Sequence, residues 1–261
     1  MALRAYTYAA VSALLLPLVV IVLTSFTTLG YVSFPPEGFT LRWYGEALRK
    51  REFLESFSLS LGIAAVTAVL AAVLGTPVAI ALARHRFAGR ALVNAFFMSP
   101  LILPTVVIGI ALLQFYNRIG IGATASSLIL GHVIITTPYA IRLVVASLTG
   151  LDPSVERAAR SLGAPPIRAF LAVTLPLIVP GIMAGALFAF ITSFDNVTLS
   201  VFLATPRMVT LPVRIYNLWD QPIYPWLVAI CSLVILWTML LIAIVERVVS
   251  VRGLFGGGAG R

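Results

Sequence analysis

The sequence predicts an all-α membrane protein with about six transmembrane helices, and three observations predict it. The first is composition: of the 261 residues, 60% are apolar and 10% charged, with a mean hydropathy of +1.04. A soluble domain of this length needs far more polar surface to cover itself. The second is segment length. Hydrocarbon thickness demands about 20 mostly apolar residues per helix, and six stretches meet that, at roughly 8–29, 57–83, 91–113, 124–148, 177–204 and 226–248. The third is what separates them: short joints marked by charge, glycine or proline, with no long linker, fixed-period repeat or soluble domain. Residues 1–261 therefore read as a single transmembrane domain.

The first run, Ala9 to Leu29, is long enough to span and lacks an obvious small-residue cleavage site, so it reads as a retained helix rather than a signal peptide. The net charge of +9 is loop arginine, because Arg outnumbers Lys seventeen to one and is scattered between apolar runs. That pattern argues against a nucleic-acid surface. With both termini and the even-numbered connections placed in the cytoplasm, that side holds ten bases in its loops and termini, against seven outside. The connection 84–90 carries Arg84, Arg86, Arg90 and His85, and its density supports cytoplasmic termini.

Residues 41–55 place Leu41, Tyr44 and Leu48 on one helical face, which predicts an amphipathic helix on the outer surface. The outer connection 205–225 is proline-rich, with Trp219 and Tyr224 at an interfacial level, and reads as a contact surface for something outside the membrane. The glycine-rich tail 256–260 reads as mobile. Cys231 is a lone thiol in an apolar stretch, so neither an internal disulfide nor a cysteine metal cluster is available.

The segment Asp152 to Pro176, DPSVERAARSLGAPPIRAFLAVTLP, has its own architecture. Asp152 is an N-cap candidate with Pro153 at the first helical position, and Ser154–Leu162 is a short helix. Gly163 ends it, and Pro165 and Pro166 start a second short helix running into the apolar stretch at Leu175-Pro176. Two short helices at an angle make a cytoplasmic elbow. Its Arg and Glu are expected to be exposed, and its Ala and Leu to fill a groove on a partner.

This stretch resembles the EAA loop of permease subunits of binding-protein-dependent ABC importers. That pattern sets two alanines, a glycine four residues after the second, and Leu-Pro twelve and thirteen residues after the glycine. Here these are Ala158, Ala159, Gly163, Leu175 and Pro176. One position departs: the glutamate usual directly before the alanines is Arg157, with the acid one place earlier at Glu156. FTLRWYGEAL, SPLILPTVVIGIALL, SFDNVTLSVFL and TLPVRIY extend the likeness to the polyamine-type branch, in particular the second permease of spermidine/putrescine importers.

The resemblance implies a type I importer permease fold in the bacterial inner membrane. It also implies a heterodimer with a second permease, two cytoplasmic ATPase subunits, and a periplasmic substrate-binding protein. It assigns ATPase coupling to Glu156, Arg157, Ala158, Ala159, Gly163, Ala164, Pro165, Leu175 and Pro176. The chain holds no G-x-x-x-x-G-K-[ST] sequence, so ATP is expected to bind partner subunits and no cofactor to bind this chain.

A carboxylate inside a bilayer costs several kcal/mol, so Asp195 must face a cavity or a partner. Thr192, Asp195, Asn196 and Ser200 fall near one face by three-and-four spacing. They form a polar stripe suited to a pathway for a cationic amine; pairing of Asp195 with an arginine of a second permease is the competing reading. His132 is expected to bond a neighbouring helix, Gly181 and Gly185 to allow close helix packing, and Pro100, Pro104 and Pro138 to kink or interrupt spans. A self-sufficient transporter would show a repeat and more intramembrane charge. An intramembrane enzyme would need a catalytic pair such as Ser–His or His–Asp at membrane depth.

Overall fold

The computed structural model describes residues 2–218 and 220–256, with the side chains of residues 4, 6–218 and 220–243. Trp219, expected at an interfacial level, and residues 257–260 of the tail 256–260, expected to be mobile, lie outside the described residues. The described residues are almost entirely helical. Five helices are long and apolar enough to cross a membrane, or six if one bent pair counts as a span. The described chain divides into two compact units, Met1–Phe57 with Arg214–Ile244, and Ser58–Val213 with Val245–Arg261.

In the first unit, α1 (Ala2–Thr24) ends five residues before the expected boundary. Its end is fixed by polar bonds: Thr24 and Ser25 hydroxyls donate back to carbonyls of the last turn, and Ser25 Oγ lies 2.5 Å from the Tyr44 hydroxyl. The amphipathic helix predicted over 41–55 is instead two helices, α2 (Arg42–Arg49) and the start of α3 (Arg51–Arg84), broken at Lys50 with ψ of 93°. The buried face also differs. Trp43 and Ala47 are buried, with the Trp43 indole N–H donating to Thr27 O at 2.7 Å, while Leu41 and Leu48 are exposed. The large aromatic gains both apolar burial and a satisfied N–H on that face, which neither leucine offers. The last helix, α12 (Pro225–Gly256), joins this unit through Tyr44 to Ser232 and an edge-on contact of Phe53 with Trp226.

The second unit is organised on α6 (Ala125–Thr149). Its most apolar stretch is 61% buried, which makes it the centre of this unit. It starts with a reciprocal cap in which Thr124 Oγ1 accepts the Ser127 N–H and Ser127 Oγ accepts the Thr124 N–H. Pro138 lies inside α6 without interrupting it. The span expected over 91–113 is broken between Pro100 and Pro104, as those prolines predict. α4 (Arg90–Met98) passes through a short 3₁₀ turn and meets α5 (Thr105–Arg118) at 100°. Pro104 has no N–H to continue the ladder, and the chain turns there.

The fifth span is displaced toward the N-terminus. Helical residues run from Pro166 to Phe194: α8 (Pro166–Ala169), a π turn (Phe170–Thr174), then α9 (Leu175–Phe194). Helix then stops at Asp195, and a separate short helix, α10 (Thr198–Leu203), follows. The first residue of α11 (Leu211–Tyr216) donates its backbone N–H to Ser60 Oγ at 2.8 Å.

Helix α9 packs on α6 through the two expected glycines. A Cβ at Gly181 would lie 2.5 Å from Ser147 Cβ, and one at Gly185 would lie 2.9 Å from Ala140 Cα. Backbone atoms cannot yield as side-chain ends can. Gly185→Val is therefore expected to lower the thermal midpoint of the detergent-purified protein, at a cost of about 1–3 kcal/mol for over-packing. Gly62→Ala, where a Cβ meets nothing within 4 Å, is expected to leave it unchanged or raise it.

Candidate functional site

The elbow forms as two arms. The first, α7 (Ser154–Ser161), starts where the Asp152 carboxylate accepts the Ser154 N–H at 2.8 Å and the Ser154 hydroxyl at 2.6 Å. Those two bonds, with Arg157 nearby, hold the Asp152 carboxyl below the usual carboxylate range. Gly163 closes the arm at φ of +92°, the left-handed conformation that glycine adopts without a Cβ penalty. The Ala164 N–H reaches back to Ala159 O at 3.2 Å, which ties off one of the last carbonyls. Space around Gly163 is open, so its requirement is the backbone angle and not room.

The second arm is continuous with the membrane helix, and Pro176 accounts for the π turn between them. Proline cannot donate to the carbonyl four residues back, and the ladder just before it widens: the Leu175 N–H bonds Phe170 O, five residues away. Leu175 is half-buried against the core that includes Ile141, Val144 and Ile178, while Pro176 is exposed. The Leu-Pro pair thus sets the helix direction and its anchorage.

Glu156 is the joint of the elbow. Its Oε2 accepts both the Arg84 guanidinium, at the end of α3, and the Thr174 hydroxyl at 2.5 Å. Thr174 is buried in the π turn. The hydrogen bond from Thr174 and the Arg84 cation hold the Glu156 carboxyl below its ordinary range. Exposure of the glutamate, expected from the sequence, is therefore corrected. The acid points inward and is spent on internal bonds, and Ala159 and Ala164 are likewise half-buried. The elbow's outward face includes Arg157, Ala158, Arg160, Leu162, Pro165, Ile167 and Arg168, with Asp152 and Val155 exposed at its start. Leu162 at 90% exposure and Ile167 at 75% are its apolar knobs. Arg84 and Thr174 were not legible as site residues; the density of bases at 84–90 was the available signal, and it pointed only to topology.

The second candidate cluster is arranged differently from the expected stripe. Thr192 is in α9, Asp195 is its exposed C-terminal cap, Asn196 lies in the break, and Ser200 is buried in α10, so the four do not share one continuous helical face. Asn196 Oδ1 accepts the Leu199 N–H at 2.8 Å and starts α10. His132 of α6 spans the break, with Nδ1 2.6 Å from Ser193 Oγ and Nε2 3.0 Å from Ser200 Oγ. Either tautomer satisfies both contacts, one ring nitrogen donating and the other accepting. This is the helix-bonding role expected for His132. All three residues are buried. Among the described residues Asp195 makes no ion pair.

Because the Glu156 carboxyl is lowered in the folded state, its stabilisation is present above the ordinary glutamate pKa of about 4.3 and is lost as pH falls through the lowered value. Backbone amide exchange over residues 152–165, taken relative to the intrinsic rate at each pH, is expected to be slow at pH 7 and to rise only in acid. Glu156→Gln is expected to raise it about fivefold at pH 7, as losing a part-exposed ion pair of about 1 kcal/mol implies.

The chain is similar to a defined set of transport proteins. Residues 75–252 match the family model described as "Binding-protein-dependent transport system inner membrane component". The putrescine transport system permease protein PotI of Escherichia coli K12 is 35% identical over 226 residues, covering 84% of this chain and 80% of that one. The spermidine/putrescine transport system permease protein PotC of the same organism is 28% identical over 229 residues, covering 88% and 86%. Among solved structures, a chain of a bacterial ABC transporter involved in import of the acidic polysaccharide alginate superposes with a TM-score of 0.75 at 18% identity, covering 94% of each chain. At that identity the likeness speaks for the fold. Taken with the helical bundle and the elbow spacing, these matches place the chain in the family of binding-protein-dependent transport system inner membrane components, as a multi-pass permease subunit and not an enzyme.

Proposed function

We propose that this permease forms half of the translocation pathway of an ATP-driven importer for a small amine, with putrescine or spermidine as the favoured cargo. The observation that carries the coupling half is the elbow. It is an exposed two-arm projection whose second arm is continuous with a membrane helix, at the spacing of Ala158, Ala159, Gly163, Leu175 and Pro176. Force on Leu162 or Ile167 passes along α8 and the π turn into α9 without a flexible joint. The partners are two ATPase subunits beneath the elbows, a second permease completing the pathway, and a binding protein delivering cargo to the opposite side. The termini lie on the side of the ATPases.

The cargo assignment rests on the named substrates of the relatives at 35% and 28% identity and on the chemistry of Asp195. A carboxylate at the end of a membrane helix, outside any ion pair in the described chain, suits a protonated amine as its counter-ion. Thr192 and Asn196 are placed at the same break, and we assign them with Asp195 to the pathway. Buried Ser200 supports the break through His132 rather than lining it. Alternating access then follows from ATP-driven approach of the ATPases, which moves both elbows together.

The test is uptake of labelled putrescine and spermidine into proteoliposomes holding the complex that co-purifies with this chain. ATP-dependent uptake is expected. Uptake without any ATPase would overturn the assignment. In the same assay Gly163→Asp is expected to lose both ATPase retention and uptake, while Asp195→Asn is expected to lower uptake at least tenfold with the complex intact. Normal uptake in Asp195→Asn would remove that residue from the pathway.

A further inference from the structure

The charge on the elbow's outward face is mostly of one sign, three exposed arginines against the exposed Asp152. Residues 152–176 contain two acids, Asp152 and Glu156, and three bases, Arg157, Arg160 and Arg168. Both acids carry internal bonds, exposed Asp152 to Ser154 at the start of α7 and half-buried Glu156 to Arg84 and Thr174. All three bases are exposed, and none is held in an ion pair among the described residues. His85 and Arg86, beyond the end of α3, are exposed as well, and Arg90 adds a base whose Nε donates to Leu82 O.

Beside the elbow lies a cavity of about 440 Å³. Its charged lining is Arg84, Arg157, Arg160 and the already paired Glu156, over a floor of Leu148 and Leu151. Three guanidinium groups therefore border a recess whose one lining carboxylate, Glu156, is already paired with Arg84, so positive charge is in excess there. A guanidinium beside a part-dry recess binds a carboxylate through two parallel N–H bonds better than it binds water.

We infer that the elbow is a receptor for acid: the ATPase that docks on it inserts an Asp or Glu side chain into the recess bordered by Arg157 and Arg160, while Leu162 and Ile167 fill an apolar groove. This rests on the reading of the elbow as the ATPase dock and adds the chemistry of the partner's surface. Charge runs from permease base to ATPase acid, and Arg157 sets that direction. A partner with a basic groove is rejected by like-charge repulsion, so the same arginines select the cognate ATPase from others in the cell.

The experiment uses the tagged permease with the ATPase that co-purifies with it, in nanodiscs of uncharged lipid. ATPase retention is measured between about 50 and 300 mM salt. Retention by the natural chain is expected to fall steeply with salt. Arg157→Glu/Arg160→Glu is expected to lower retention at least tenfold at the low end and to flatten the salt dependence, whereas Arg157→Lys/Arg160→Lys keeps most of it. A cysteine at position 160, in a Cys231→Ser background, is expected to cross-link to an ATPase cysteine placed at an acidic groove position. Changing that acid to Arg is expected to restore binding of the Glu double variant.

Retention of the Glu double variant equal to that of the natural chain, with the same salt slope, overturns the inference. So does a salt-dependent loss that appears only in nanodiscs of anionic lipid, because the arginines would then serve head groups. Leu162→Asp separates the two levels. If it abolishes retention while the charge reversals do not, the dock stands and the acid receptor falls. If neither variant changes retention, the dock itself falls.

Discussion

One carboxylate oxygen of Glu156 receives two donors that belong to different parts of the chain, Arg84 at the end of α3 and Thr174 in the π turn before α9. Removing the acid would leave a half-buried guanidinium and a buried hydroxyl each without its acceptor, which costs more than the pair itself contributes. That asymmetry makes the joint hold one arrangement. Two membrane helices and the first arm of the elbow meet at a single atom, and the second arm needs no tether because it is the membrane helix. The elbow is thereby a rigid handle on the helices and not a loop laid against them.

The same geometry decides what the elbow can recognise. With Glu156 turned inward, mainly arginines and apolar side chains face outward, so the surface chemistry of the elbow is a consequence of the internal joint. At the other end of α9 a comparable economy holds. The helix stops at Asp195, Asn196 starts α10, and buried His132 fixes both sides of the break through Ser193 and Ser200. Non-helical backbone at membrane depth is tolerated where protein or an aqueous cavity satisfies it, and here three polar side chains and a cap do so. Helix α9 therefore links a charged joint at one end with a polar break at the other.

Much of this was legible in the sequence. Composition and run length gave the bundle, and the spacing from Ala158 to Pro176 gave the elbow, because both signals are local. The 100° bend between α4 and α5 was half legible: Pro104 marks a missing donor, but the direction of the turn depends on what packs around it. The break at 195–197 was read as helix because Thr192, Asp195, Asn196 and Ser200 fit helical spacing. An asparagine that caps the next helix looks the same as one that lines a face. The burial of Trp43 in place of Leu41 and Leu48 was missed because hydropathy alone does not credit an indole N–H with a carbonyl partner. The role of Glu156 was out of reach, since its partners stand 72 and 18 residues away and no local pattern names them.

The central claim is that the elbow and the end of α3 move as one body during transport. It is tested most directly by joining positions 84 and 156 covalently. In a Cys231→Ser background, cysteines at both positions are bridged by a short bis-thiosulfonate linker of about the reach of the Arg–Glu pair, and ATP-driven uptake is measured before and after reduction. The account predicts that the bridged complex transports at close to the natural rate and that reduction, which removes the tether, slows it. A bridged complex that is inactive and recovers on reduction would show that the joint must open in each cycle, and would contradict the account.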